Sequence, residues 1–301
     1  MRSAALLGAL PGAVSLVPGR AVRRKDKMPK NILLGLIRSA NNPEEDLKAV
    51  RDMGLGACQL SVDTYSPELA TRVAAALQRY ELRPVSLICM GPGVYRWNLK
   101  EGPSTIGLVP RENRPARMAR LRQGIEFCKD AGIPAVHAHF GFIPEDPKDV
   151  LYAEFIAAMK EVAAYALERG VDVLFETGQE TPVTLLRAIQ DIGTGNLFVN
   201  YDPANLVMYG KANPVDGLKI LGKHVRSLHA KDGLYPVDPH ELGREVPIPT
   251  GEVNFPAMLS ILKRLDFRGS IIIECELAES TSGYITKTKG YLEKIISADA
   301  R

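Results

Sequence analysis

Cysteine and aromatic residues are scarce in this chain of 301 residues, which has four cysteines, one tryptophan and 6% aromatic residues in all. The cysteines lie far apart and form no C-x-x-C pair, which argues against a disulfide framework and against a thiolate zinc site. We therefore expect buried, reduced thiols at Cys58, Cys89, Cys128 and Cys275.

A strong excess of charge is missing as well. The net charge is +3, with 24% charged residues, and the basic residues are scattered rather than gathered into one stripe. This distribution does not indicate a nucleic-acid partner.

Long hydrophobic runs are also absent, and the longest candidate is the segment 4–17. It is too short and too interrupted by Gly and Pro to span a membrane. A basic cluster at residues 20–27 follows it and opposes export, and no clear small-x-small cleavage site precedes that cluster. We expect residues 1–30 to be a disordered N-terminal extension of a cytoplasmic protein. The alternative is a signal peptide that directs the protein to the periplasm.

From residue 31 onward, short apolar runs alternate with helical patterns. The runs cover residues 31–37, 57–62, 84–89, 135–140, 171–175, 197–201, 225–228 and 270–275. Because these strands are apolar throughout, we expect both faces to be buried, as in a parallel sheet. Eight such units predict a (β/α)8 TIM barrel, an α/β fold, with one catalytic domain over residues 31–298. A doubly wound open sheet is the alternative, but no Gly-rich phosphate motif follows the first strand.

Four of the later strands end in a side chain that can bind a metal: Glu176, Asp202, His229 and Glu274. The C-terminal ends of barrel strands face one pocket, so these four residues are expected to meet. A set of two Glu, one Asp and one His favours Mn²⁺ or Mg²⁺, with Co²⁺ and Zn²⁺ as alternatives. One such residue alone would indicate only a polar group at the barrel mouth, whereas four in succession predict a metal site.

The motifs around these positions resemble the sugar phosphate isomerase/epimerase family of xylose isomerase-like barrels, over roughly residues 31–297. The matching segments are Glu176-Thr177-Gly178, Tyr201-Asp202-Pro203-Ala204-Asn205, His229-Ala230-Lys231-Asp232, Gly251-Glu252-Val253-Asn254-Phe255 and Ile273-Glu274. The resemblance implies a small-molecule sugar or polyol substrate, a divalent metal with Mn²⁺ first, and a homodimer.

In ketose 3-epimerases of this superfamily, a metal held by Glu, Asp, His and Glu chelates a carbonyl and the adjacent hydroxyl of the substrate. The resemblance assigns these ligands to Glu176, Asp202, His229 and Glu274. It also implies that one glutamate removes a proton to form an enediolate and the other returns it, so Glu176 and Glu274 are the expected catalytic residues.

Three further residues are expected to bind substrate. Asn205 stands where those epimerases often have a His, and Lys231 is the cation nearest to the position of their Arg. His139 lies near the mouth on the fourth strand, where His137 shares its face and is expected in a core layer.

Several residues near the mouth leave two interpretations open. Tyr95 and Trp97, in the long connection 90–114, form either a lid over a sugar face or a packed anchor for their loop. Gln179 and Glu180 belong either to the pocket or to a helix cap.

The leading function is thus an isomerase or epimerase of a keto sugar or related polyol. A dehydratase or lyase on a keto-inositol or 3-keto-glycoside uses the same site, with elimination in place of reprotonation. A sugar-binding protein without turnover is a further alternative. A DNA-repair endonuclease of the superfamily is disfavoured, because its three-zinc cluster is rich in His and this chain has five.

Overall fold

The computed structural model describes residues 32–277 and 282–298, which contain ten β-strands. The strands are β1 (Leu33–Ser39), β2 (Ala57–Ser61), β3 (Arg83–Ile88), β4 (Ala135–Ala138), β5 (Asp172–Glu176), β6 (Leu197–Tyr201), β7 (Val225–Ala230), β8 (Asp232–Leu234), β9 (Arg244–Val246) and β10 (Ser270–Ile273). Eight of them form a closed parallel barrel in the order β1-β10-β7-β6-β5-β4-β3-β2. Pairing of β1 with both β2 and β10 closes it, so the predicted single-domain TIM barrel is confirmed and the open-sheet alternative is wrong.

Helices lie between the strands. They are α1 (Pro43–Asp52), α2 (Pro67–Arg79), α3 (Gly102–Thr105), α4 (Arg114–Ala131), α5 (Val150–Leu167), α6 (Pro182–Ile192), α7 (Pro203–Met208), α8 (Pro214–Leu221), α9 (Phe255–Arg264) and α10 (Ser282–Ala298). The extension predicted for residues 1–30 lies outside the described residues. No helix in the described part of the chain is both long and apolar enough to cross a membrane.

Local sequence signals explain where several helices begin. The Ser66 hydroxyl accepts a hydrogen bond from the Leu69 amide at 3.1 Å, and Pro67 occupies the first turn of α2. The Asp149 carboxylate caps α5 in the same way, through the Leu151 amide at 2.8 Å. This cap explains why α5 begins at Val150.

The connection after β7 is more ordered than its length suggests. It contains the antiparallel pair β8 and β9, with Asp232 opposite Val246. The Asp232 carboxylate accepts hydrogen bonds from the amides of Gly233, Gly251 and Val253, at 2.9, 2.8 and 3.0 Å. One buried side chain thus holds both ends of this connection at the barrel mouth.

The connection between β3 and α4 is organised by the buried side chain of Arg117. Its guanidinium donates to the carbonyl oxygens of Pro92 at 3.0 Å, Gly107 at 2.7 Å and Val94 at 3.2 Å. It also lies over the Tyr95 ring, 4.2 Å from the ring centroid. The loop that carries Trp97 is therefore fixed to the barrel rather than free in solvent.

Two glycines with the same backbone conformation provide a test of how tightly this loop is packed. Gly107 has φ +73°, and a Cβ there would lie 1.9 Å from the carbonyl carbon of Phe140. Gly132, at the end of α4, has φ +70° and nothing within 4 Å of such a Cβ. We expect Gly132→Ala to lower the free energy of unfolding by about 1 kcal/mol. Gly107→Ala adds a backbone clash and should cost more than about 3 kcal/mol. Equal losses in urea unfolding would contradict this packing.

Candidate metal centre

Four acidic and imidazole side chains meet at the C-terminal end of the barrel. Glu176 is the last residue of β5, Asp202 follows β6, His229 lies in β7 and Glu274 follows β10. One ligand atom from each lies within 4.8 Å of the others, and all four side chains are largely buried. The barrel therefore brings together the four residues expected at its strand ends.

The Nδ1 atom of His229 points into this cluster. It lies 2.6 Å from Glu274 Oε2, 3.4 Å from Asp202 Oδ2 and 3.4 Å from Glu176 Oε1. Burial alone would lower the pKa of His229, but the facing carboxylates of Glu274 and Glu176 raise it well above its ordinary value. The imidazole is the nearest counter-charge to three acids in a small buried space.

The opposite nitrogen of the ring is held by polar residues inside the barrel. With its proton on Nε2, assigned from the partners, His229 donates to Gln59 Oε1 at 2.7 Å. Gln59 in turn donates to Asn200 Oδ1 at 2.9 Å and to the Ser227 hydroxyl at 3.3 Å. When His229 loses its Nδ1 proton, the hydrogen bond at Nε2 keeps Nδ1 directed at the cluster and able to bind a cation, as partners of metal-binding histidines commonly do.

The two glutamates of the cluster are kept ionised by their neighbours despite burial, whereas Asp202 is not. Burial would raise the pKa of Glu274, but His229 and Lys231 outweigh it and lower the pKa to about 2. Burial would likewise raise the pKa of Glu176, but His139 and His229 hold it well below its usual range. For Asp202, burial dominates and raises the pKa.

This donor set fits a divalent metal ion. Three carboxylates and one imidazole nitrogen supply hard, mainly oxygen ligands. Glu274 Oε2 has no partner with hydrogen-bond geometry in the described part of the chain, despite its closeness to His229. Buried like charges at such separations are unfavourable unless a cation lies among them.

The three predicted substrate-binding residues all line the cavity above the cluster. His139 Nε2 lies 3.5 Å from Glu176 Oε1. The backbone N–H of Asn205 donates a hydrogen bond to Asp202 Oδ1 at 2.8 Å. Lys231 is only 2% exposed, and its ammonium is 3.2 Å from Glu276 and 3.5 Å from Glu274.

Several residues at this centre were not predicted from the sequence, or were predicted to have a smaller role. His137 was expected in a core layer, but its Nε2 lies 3.4 Å from Glu176 Oε2 while Nδ1 is 2.8 Å from the Ser86 hydroxyl. Gln59 and Asn200 were not singled out at all. The available signal was a polar residue at an inward position of an otherwise apolar strand, because such groups require partners.

The cavity has a volume of about 620 Å³, within the range of small-molecule sites. Apolar side chains form much of its wall: Met90, Trp97, Met208, Leu242 and Ile285. The Trp97 ring is 47% exposed and contacts the His139 ring edge to face, with centroids 5.0 Å apart. The aromatic pair expected as a lid or an anchor is in fact stacked, with 5.8 Å between the Tyr95 and Trp97 centroids.

A second cavity, of about 440 Å³, opens at the opposite end of the barrel near Asp172, Arg226 and Ser270. It lies where the strands begin, whereas TIM-barrel active sites form where the strands end. The chemistry is therefore assigned to the cavity above the four-residue cluster.

Solved structures with this fold include several sugar enzymes. A xylose isomerase domain protein from Planctomyces limnophilus is 28% identical, with a TM-score of 0.82, covering 92% of this chain and 99% of that one. An L-ribulose 3-epimerase is 16% identical, with a TM-score of 0.67, covering 88% of this chain and 95% of that one.

A third structure, a xylose isomerase-like TIM barrel protein from Mycobacterium smegmatis, was determined in complex with magnesium. It is 16% identical, with a TM-score of 0.62, covering 85% of this chain and 88% of that one. A search of the curated proteins gives no match. The family model described as xylose isomerase-like TIM barrel matches residues 47–295. The chain therefore belongs to the xylose isomerase-like TIM barrel family.

Proposed function

We propose that the protein is a divalent-metal-dependent isomerase or epimerase that acts on a keto sugar or related polyol through an enediolate. The observation that carries this proposal is the placement of Glu176 and Glu274. They reach one centre from β5 and β10, which are separated in the barrel by β6 and β7. Two carboxylates on different sides of a bound substrate suit removal of a proton by one and its return by the other.

The metal is held by Glu176, Asp202, His229 and Glu274, with Mn²⁺ as the first choice and Mg²⁺, Co²⁺ and Zn²⁺ as alternatives. When bound, the cation polarises the substrate carbonyl and stabilises the negative charge of the enediolate. The magnesium complex of a protein with the same fold supports a divalent ion.

The side chains around the two glutamates position them for proton transfer. His137 and His139 approach the two carboxylate oxygens of Glu176, at 3.4 and 3.5 Å, and restrict its orientation. One of the two glutamates, as the carboxylate, takes the proton from the carbon next to the carbonyl. The other first gains a proton from solvent and then delivers it to the opposite face. His139, Asn205 and Lys231 line the cavity and bind the substrate oxygens.

We expect Glu176→Gln and Glu274→Gln each to lower proton exchange by about 100-fold or more, since an amide cannot act as general acid or base. Solvent-deuterium incorporation into D-fructose, D-tagatose and L-ribulose measures the exchange, with the Mn²⁺ content of each variant measured alongside. Glu112→Gln, at an exposed position, is the matched control and should keep full activity. Full conversion of the sugar to its epimer or isomer by either active-site variant would rule out the two-glutamate mechanism.

The products of the same reaction separate the alternative functions. Deuterium incorporation with formation of an epimer or isomer supports the proposal. Loss of water or of an aglycone from a keto-inositol or 3-keto-glycoside would assign the site to a dehydratase or lyase. Sugar binding without exchange in the metal-loaded protein would instead indicate a binding protein.

Removal of the metal should destabilise the protein. Because a ligand that binds only the folded state stabilises it by mass action, Mn²⁺ at about 100 times its Kd should add about 2.7 kcal/mol. We expect chelation to lower Tm by several degrees and Mn²⁺ to restore it, as followed by calorimetry. His229→Ala should remove this response to Mn²⁺, whereas His240→Ala, on the exposed loop after β8, should leave it intact. Identical Tm values with and without Mn²⁺ would refute metal binding.

A further inference from the structure

Two side chains in the cavity wall each have one buried polar atom without a hydrogen-bond partner in the described part of the chain. Gln179 is 1% exposed and Tyr209 is 6% exposed, and both line the cavity above the metal centre. Within residues 32–277 and 282–298, neither the Gln179 Nε2 atom nor the Tyr209 hydroxyl has a hydrogen-bond partner. Buried polar groups of this kind are few in native proteins, and each one calls for an explanation.

The position of Gln179 is set by His139. The amide oxygen lies 3.1 Å from His139 Nδ1, while the other ring nitrogen faces Glu176. If the Gln179 side-chain amide is rotated by 180°, its nitrogen faces His139 and its oxygen becomes the atom without a partner. One end of this amide is therefore available for a ligand, one imidazole away from a proposed catalytic glutamate.

Tyr209 stands next to Gln179 at the end of α7, the helix that begins directly after Asp202. Burial raises the pKa of Tyr209 to about 12, and the neighbouring amide of Gln179 offsets part of this rise. The hydroxyl is therefore protonated at neutral pH. The two groups, close together but without hydrogen-bond geometry between them, offer an N–H donor and an O–H group that can donate or accept.

The charges around the cavity disfavour a phosphorylated ligand. Apart from imidazoles, the cations lining its described part are Arg38 and Lys231. Arg38 pairs with Asp46 at 3.4 Å, and the ammonium of Lys231 faces the carboxylates of Glu276, Glu274 and Glu245. Lys231 is therefore occupied by carboxylates. Arg38 keeps a buried Nε atom without a hydrogen-bond partner, but the excess of carboxylates in the described lining still weighs against a phosphate.

The wall of the same cavity is partly apolar, with Met208 and the half-exposed Trp97 among its side chains. An uncharged sugar has hydroxyls along its edge and C–H groups on its faces, and the apolar surface of an aromatic ring suits the latter. A polar pair set beside an apolar surface matches this chemistry better than it matches a charged group.

We propose that Gln179 and Tyr209 form a subsite that binds an oxygen of the non-reacting part of an unphosphorylated sugar and so determines which sugars are accepted. The inference rests on the proposed sugar isomerase or epimerase function. In the complex, the Gln179 amide donates to a hydroxyl or ether oxygen of the sugar. The Tyr209 hydroxyl donates to, or accepts from, the same part of the molecule.

The test uses Tyr209→Phe and Gln179→Met in the full-length, Mn²⁺-loaded protein. Tyr80→Phe and Gln78→Met, at positions outside the cavity on or next to α2, are the matched controls. Deuterium exchange is measured with D-fructose, D-tagatose and L-ribulose and with their phosphorylated forms. We expect KM for the unphosphorylated sugars to rise about 10-fold or more in both variants, with a smaller change in kcat. Mn²⁺ affinity and the controls should be unchanged.

Tyr209→Phe removes a hydroxyl that has no internal partner, so the sugar-free variant should unfold at the same Tm as the parent protein or higher. A lower Tm would assign the hydroxyl a structural role and overturn the inference. Unchanged KM in both variants, or a preference of the parent protein for phosphorylated sugars, would also overturn it. If the parent protein exchanges no sugar at all, the proposed function fails, and this inference fails with it.

Discussion

Three carboxylates share one buried space at the top of the barrel, and their mutual repulsion is the constraint on which the site depends. Glu176, Asp202 and Glu274 are fixed there by the ends of three strands. A change in loop conformation alone therefore cannot move these carboxylates apart. His229 and Lys231 provide positive charge from within the protein. A divalent cation that displaces the proton of His229 would complete the balance, so the geometry that brings the acids together is also one that suits a metal.

The residues inside the barrel, below the four-residue cluster, also reflect this constraint. The interior beneath the centre contains Gln59, Asn200 and Ser227 where a purely structural barrel would have branched apolar residues. Their hydrogen bonds satisfy one another and fix the ring of His229 with Nδ1 directed upward. An apolar layer would pack as well but would leave the imidazole free to turn, so the polar layer serves the site rather than the stability of the fold.

The meeting of the four clustered residues could be predicted from the sequence because it depends on one rule, the convergence of strand ends in a parallel barrel. The role of Gln59 could not be predicted in this way. Its partner Asn200 is 141 residues away, and a contact across the barrel depends on the strand register, which no local pattern specifies. The order of the β8–β9 connection was missed for the same reason. Asp232 holds amides 19 and 21 residues further along the chain.

The cavity is asymmetric about the metal centre, and this asymmetry bears on the reaction. On the side of Glu274, a buried lysine and the carboxylates of Glu245 and Glu276 form a charged cluster. On the side of Glu176, the neighbours are imidazoles, an amide, a phenol and an aromatic ring. A substrate bound between them would meet a lysine and carboxylates at one glutamate and imidazole, amide and phenol groups at the other. The side of Glu176 fits the proposed recognition of the sugar. On the other side, the Lys231 ammonium keeps Glu274 in its carboxylate form, which is the form that can accept a proton.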